Sequence, residues 1–122
     1  MLMLAPGRRI WLCTQATDMR RSFDGLSAMV RNHLGGDPLD GGWYCFINRR
    51  QTQIKVLTFE EGGYCLWSKR LEEGQFARLG PADLIKRTLS HTEFLALLEG
   101  VDFSITRQRK RWRKLAGVGL LW

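Results

Sequence analysis

The sequence predicts an α+β fold: a small antiparallel sheet of four or five strands, arranged as a meander and packed by one or two helices. Three observations lead there. Met19, Phe23, Leu26, Val30 and His33/Leu34 recur at three and four residues, the spacing of a helix with one apolar face. Three strand-forming runs, WYCFIN (43–48), QIKVLTF (53–59) and YCLWSK (64–69), are joined by short linkers, as in two consecutive hairpins. Ser90 and Glu93 stand three apart ahead of Phe94, Leu95, Leu97 and Leu98, which is a capping box opening a second, shorter helix.

The elements follow in order. RRIWLCT (8–14) is a short apolar run and reads as a first strand. The first helix is expected at about 22–34, with Asp18 or Ser22 placed to accept from its free backbone N–H groups. Gly35–Gly36 ends it, and GGDPLDGG (35–42) is a turn-rich connector. The first hairpin linker carries Arg49–Arg50 and the second is Glu60-Glu61-Gly62-Gly63. Ile54 and Val56 point to one side of the sheet, Leu57 and Phe59 to the other. Both faces are therefore expected to be covered, one by the helix and the other by a second helix or a partner. Gly80–Pro81 marks a turn, and 82–89 fits a strand or a helix. The second helix is expected at about 91–99, closed by Gly100. No internal repeat or domain-splitting linker interrupts the chain.

At 122 residues the chain has the length of one domain, and 44% hydrophobic with 25% charged residues is a globular balance. No apolar run approaches the ~18 residues of a membrane helix. MLMLAPGRR is too short and too uncharged before its apolar residues to be a secretory signal, so a cytoplasmic location is expected. Cys13, Cys45 and Cys65 form no CxxC pair, and the histidines are His33 and His91. Neither a disulfide framework nor a zinc site is expected, and the three thiols read as small buried hydrophobes.

Charge is the most informative feature of the composition. Of 19 Lys and Arg, six lie in RQRKRWRK (107–114), leaving thirteen against twelve acids elsewhere; the net charge is +7. The chain divides into a nearly neutral domain over 1–106 and a basic arm with a short apolar extension over 107–122. Excess charge so localised points to a polyanion. Arg107, Arg109, Lys110, Arg111, Arg113 and Lys114 neutralise up to about six phosphates, which predicts a log–log salt slope near −5 on duplex DNA. Trp112 sits among them to stack on a base or against the core. Arg49, Arg50, Lys55, Lys69 and Arg70 flank the hairpins and form a candidate second patch, interspersed with Glu60, Glu61, Glu72 and Glu73. Tyr44, Phe46, Tyr64 and Trp67 are expected in the core rather than on a stacking platform. No helix-turn-helix or zinc finger is present to read bases, so contacts are expected along the backbone.

TDMRRSFDGL (17–26) poses the enzymatic alternative. Two-metal nucleases need several carboxylates converging on ions ~4 Å apart. Asp18 and Asp24 are six residues apart, which on a continuous helix places them about 120° from superposition. Asp83, Glu93, Glu99 and Asp102 are available as further acids but form no recognisable motif. The plainer reading is a cap at Asp18 and local pairing with Arg20 or Arg21. Those two arginines precede a helix whose N-terminal dipole they oppose, which marks them as candidates for an anion or an acidic partner. No catalytic residue, metal or cofactor is assigned.

Three stretches, TDMRRSFDGL (17–26), NRRQTQIKVLTFEEGGYCLWSKRLEEGQF (48–76) and LLEGVDFSITRQRKRWRK (97–114), together resemble the small accessory protein of bacterial insertion sequences of the IS sixty-six family, often called TnpB-type or second-frame. The likeness runs from about residue 8 to 114; LAGVGLLW (115–122) departs from the usual pattern. The resemblance implies a non-catalytic helper in transposition, encoded beside a larger transposase that carries the strand-transfer chemistry. It brings no catalytic residues. The expected partners are DNA, as element ends or non-specific duplex, with the transposase and a sister accessory protein, and no membrane. The alternatives are a small metal-dependent nuclease and a protein-interaction module that binds no nucleic acid.

Overall fold

Alternation and helical periodicity are both realised in the computed structural model, which describes residues 7–77, 79–80 and 84–100. The elements are β1 (Ile10–Cys13), α1 (Phe23–Asn32), β2 (Trp43–Ile47), β3 (Gln53–Glu60), β4 (Gly63–Arg70), β5 (Lys86–Leu89) and α2 (His91–Leu98). The strands form one sheet in the order β4-β3-β2-β1-β5. The predicted meander is β2-β3-β4, antiparallel throughout, with β3 paired to β4 from Gln53↔Arg70 to Glu60↔Gly63.

One pairing departs from the expected antiparallel sheet. β1 runs parallel to β2, with Ile10↔Trp43 and Leu12↔Cys45, while β5 pairs antiparallel to the other side of β1. The sheet is thus mixed. The reason is the crossover: a helix between two adjacent strands returns the chain to the end where it began, which a two-residue hairpin cannot do. The stretch left open between strand and helix resolves at its end as β5.

Both faces are covered. On one side Ile10, Leu12, Trp43, Cys45, Ile47, Ile54 and Val56 pack with Phe76, Leu79, Leu89 and, from α2, Phe94 and Leu97. Trp43 meets Phe94 edge to face, ring centroids 5.6 Å apart, an arrangement the ring quadrupoles favour. On the other side Cys13, Tyr44, Phe46 and Leu57 pack under Leu26, Val30 and Leu34 of the α1 region. Val56 and Leu57, neighbours in sequence, belong to opposite faces, as strand alternation requires.

The helix boundaries match expectation to within two residues, but the caps differ. α2 has the predicted box: Ser90 Oγ accepts from Glu93 N–H at 3.0 Å, and Glu93 Oε1 accepts from Ser90 N–H at 2.9 Å. Glu93 also takes Arg87 Nη2 at 2.9 Å with both side chains largely shielded, so one carboxylate ties the helix start to β5. At α1 the cap residue is Ser22, whose side chain makes no capping hydrogen bond. Asp18 does not cap it either, because that carboxylate accepts from Arg20. The cysteines divide: Cys13 and Cys45 are buried as expected, and Cys65 is exposed. β4 is an edge strand, so Cys65 has a neighbouring strand on one flank alone.

The boundary expected after residue 106, the basic arm and the apolar extension all lie outside the described residues. Among the described residues no helix is long and apolar enough to cross a membrane.

Candidate nucleic-acid interface

The segment before α1 is built from backbone outward. Thr17 N–H donates to Ile47 O at 2.9 Å, pinning the chain to the end of β2. Arg20 then folds back on Asp18: its backbone N–H reaches Oδ1 at 2.9 Å, and Nη2 reaches Oδ2 at 2.6 Å. The hydrogen bonds from Arg20 hold the Asp18 carboxyl down to about 2 from an ordinary 3.8. Lys55 projects from β3 and donates to the carbonyls of Met19 at 2.7 Å and Arg21 at 2.9 Å. A cation placed in the hairpin patch from sequence is therefore engaged in bracing a loop. Arg21 is exposed and lines an open groove along α1 with Asn32 and His33. A Cβ at Gly25 would stand 3.1 Å from Arg21 Cβ, so the glycine of the motif makes room for the Arg21 stem.

These contacts account for Asp18 by pairing with Arg20, one of the partners the plainer reading gave it. Asp24 sits in the first turn of α1, where an acid complements the helix dipole. Among the described residues no group of three or more His, Cys, Asp or Glu side chains converges as a metal site would need. Asp83 and Asp102 lie outside those residues. The small cavity between β1 and the 47–51 turn, about 20 Å³, has room for a water molecule and no more.

The hairpin cations come together at one end of the sheet. Gln53 pairs with Arg70 and Ile54 with Lys69, which sets the β4 terminus beside the Arg49–Arg50 turn. The 70–76 segment laces onto that turn, with Leu71 N–H donating to Thr52 O at 2.7 Å and Gln75 Nε2 to Arg50 O at 2.8 Å. Arg49 and Arg50 are exposed. Lys69 Nζ, however, donates to Leu98 O at 2.7 Å, at the C-terminal end of α2. There a cation satisfies a helix carbonyl and complements the dipole. Arg70 faces Glu72 at 3.4 Å. This end of the sheet is of mixed charge. Arg107, Arg109, Lys110, Arg111, Trp112, Arg113 and Lys114 lie outside the described residues.

A second basic group escaped the sequence reading. Lys86 Nζ stands 4.4 Å from the Trp11 ring centroid, and Arg9 Cζ stands 5.8 Å from it. Arg8 Nη1 donates to Gly41 O at 2.8 Å. Gly41 has φ +80°, and a Cβ there would fall 2.0 Å from Arg8 Nη1, so glycine is what lets the guanidinium lie on the backbone. Part of this was readable: Arg9 and Trp11 are two apart on a strand and so share a face. Lys86 reaches them only through the β1–β5 pairing.

The sequence matches the family described as IS66 Orf2 like protein over residues 8–108. It is 34% identical to the uncharacterized protein y4hO of Sinorhizobium fredii over 105 residues, covering 86% of this chain and 89% of that one. With the uncharacterized protein y4jC of the same organism it shares 32% identity over 118 residues, covering 93% and 100%. No solved structure matches. With five-sixths of its length matched to that family, the chain belongs to the IS66 Orf2-like proteins, an accessory family of insertion sequences.

Proposed function

We infer that the protein is a non-catalytic transposition factor that grips DNA by its phosphates and holds the element's separate transposase. The observation that carries the DNA step is the concentration of six cations and no acid in residues 107–114, beside a body of thirteen basic and twelve acidic residues. Counterion release from phosphates rewards such clustering and is independent of sequence. The arm grips, and the folded body docks the transposase or a sister accessory protein. Phe23, Leu84, Ile85 and Leu95 are exposed apolar side chains of that body and are candidates for the protein contact. Arg20 is held by Asp18, which leaves Arg21 as the cation of the opening motif for an acidic partner.

Deleting residues 107–122 tests both halves. The truncated protein is expected to keep its hold on purified transposase and to lose duplex binding at low ionic strength. Loss of transposase binding with DNA binding intact would reverse the assignment. Divalent-ion-dependent hydrolysis of DNA by the intact protein, abolished by Asp18→Ala, would replace it with an enzyme.

A further inference from the structure

We propose that the surface formed by Arg8 and Arg9 just ahead of β1, Trp11 on β1 and Lys86 on β5 is a second DNA-phosphate contact site on the folded body. It rests on the reading that this protein binds DNA, and adds where the body touches it.

What orders its cations distinguishes this surface. Arg20, Arg70 and Arg87 each face a carboxylate, and Lys55 and Lys69 are spent on backbone carbonyls inside the fold. Lys86 and Arg9 are instead ordered against an indole. An aromatic face positions a cation without cancelling its charge. Arg8 is ordered by one neutral carbonyl, which engages a single Nη1 donor of its guanidinium and leaves the rest of the fork for an anion. Asp40 lines the same recess, but its oxygens already accept from Gly42 N–H at 2.7 Å and Tyr44 OH at 3.0 Å. Two cations thus stand against one half-buried tryptophan with Arg8 in the adjoining recess, and none of the three is ion-paired to a carboxylate among the described residues. Arg8 and Arg9 are exposed, and Thr88, directly across from Trp11, is exposed as well. Fixed positive charges held close together and not ion-paired match the closely spaced phosphates of a duplex, and Trp11 serves to hold two of them in place.

The test is a salt titration of full-length protein on a short random duplex, using three variants. Arg9→Gln/Lys86→Gln is expected to keep the fold and reduce the log–log salt slope by about 2. Thr88→Glu removes no packed side chain, adds an acid beside Trp11, and is expected to weaken binding in the same direction. It decides the matter if the double variant misfolds. The third variant replaces the six arm cations with Gln and is expected to retain a residual, salt-dependent affinity. A double variant and Thr88→Glu that bind like the parent, while the arm variant loses all binding, would overturn the body site and leave the arm reading standing. Full binding by the arm variant, lost on adding Arg9→Gln/Lys86→Gln, would overturn the arm reading and leave the body site. Unchanged DNA affinity with weakened transposase binding in the double variant would assign the surface to protein instead and overturn the proposal. A parent that ignores DNA at low ionic strength overturns both.

Discussion

Lys55 Nζ lies 2.7 Å from the carbonyl oxygen of Met19, joining the middle of β3 to the loop that launches α1. The same ammonium reaches Arg21 O at 2.9 Å. Two backbone carbonyls that no helix or strand satisfies are thereby partnered by one charged donor. Lys55→Met is expected to destabilise the fold by about 1.5–3 kcal/mol, the cost of losing hydrogen bonds to a charged group. Urea denaturation measures it, as a lower midpoint at unchanged slope; an unaltered midpoint would reduce this contact to decoration.

Glu93 joins two functions that substitution can separate. Glu93→Gln keeps an acceptor for Ser90 N–H and so keeps the box, but removes the charge facing Arg87. Glu93→Ala removes both and is expected to cost about 1–3 kcal/mol. Thermal melts should rank the parent above Glu93→Gln and that above Glu93→Ala. Equal losses for Gln and Ala would mean that the ion pair carries the whole effect.

Acid titration should single out Asp18. Its folded-state carboxyl is depressed to about 2 by the Arg20 hydrogen bonds, so its contribution to stability is present above the ordinary carboxylate range and disappears as pH falls through about 2. Carboxyl chemical shifts followed by NMR are expected to place its midpoint there, and Arg20→Gln to return it towards 3.8. An unshifted midpoint in the parent would dissolve the pair.

The thiols differ in access. Burial raises the Cys13 and Cys45 thiols, while Cys65 is exposed. A thiol reagent under native conditions should modify Cys65 rapidly and the other two only on unfolding. Rapid loss of all three would contradict the burial of β1 and β2.

What the sequence made legible was what is periodic or local. The α1 stripe, the three-strand meander and the Ser90–Glu93 box each arise from residues close in the chain, where spacing encodes geometry. Less legible were features made by distant neighbours. The parallel β1–β2 pairing depends on which strands meet across a crossover, and alternation looks the same in either direction. Cys65 sits in an apolar run, yet it is exposed opposite Thr58 on the edge strand β4, a place set by strand order and register. Lys55 read as a surface cation because its partners are backbone carbonyls, which leave no mark in composition. Lys86 reaches Trp11 from 75 positions away, through the β1–β5 ladder alone. For the arm, charge was legible from composition, and the described residues end before it.

The most direct test of DNA gripping is the salt dependence of duplex affinity, measured for the parent and for a variant with Gln at Arg107, Arg109, Lys110, Arg111, Arg113 and Lys114. The predicted result is a steep parent slope whose magnitude falls by about five in the variant, equally on element-end and random duplexes. Identical slopes for the two proteins would contradict it.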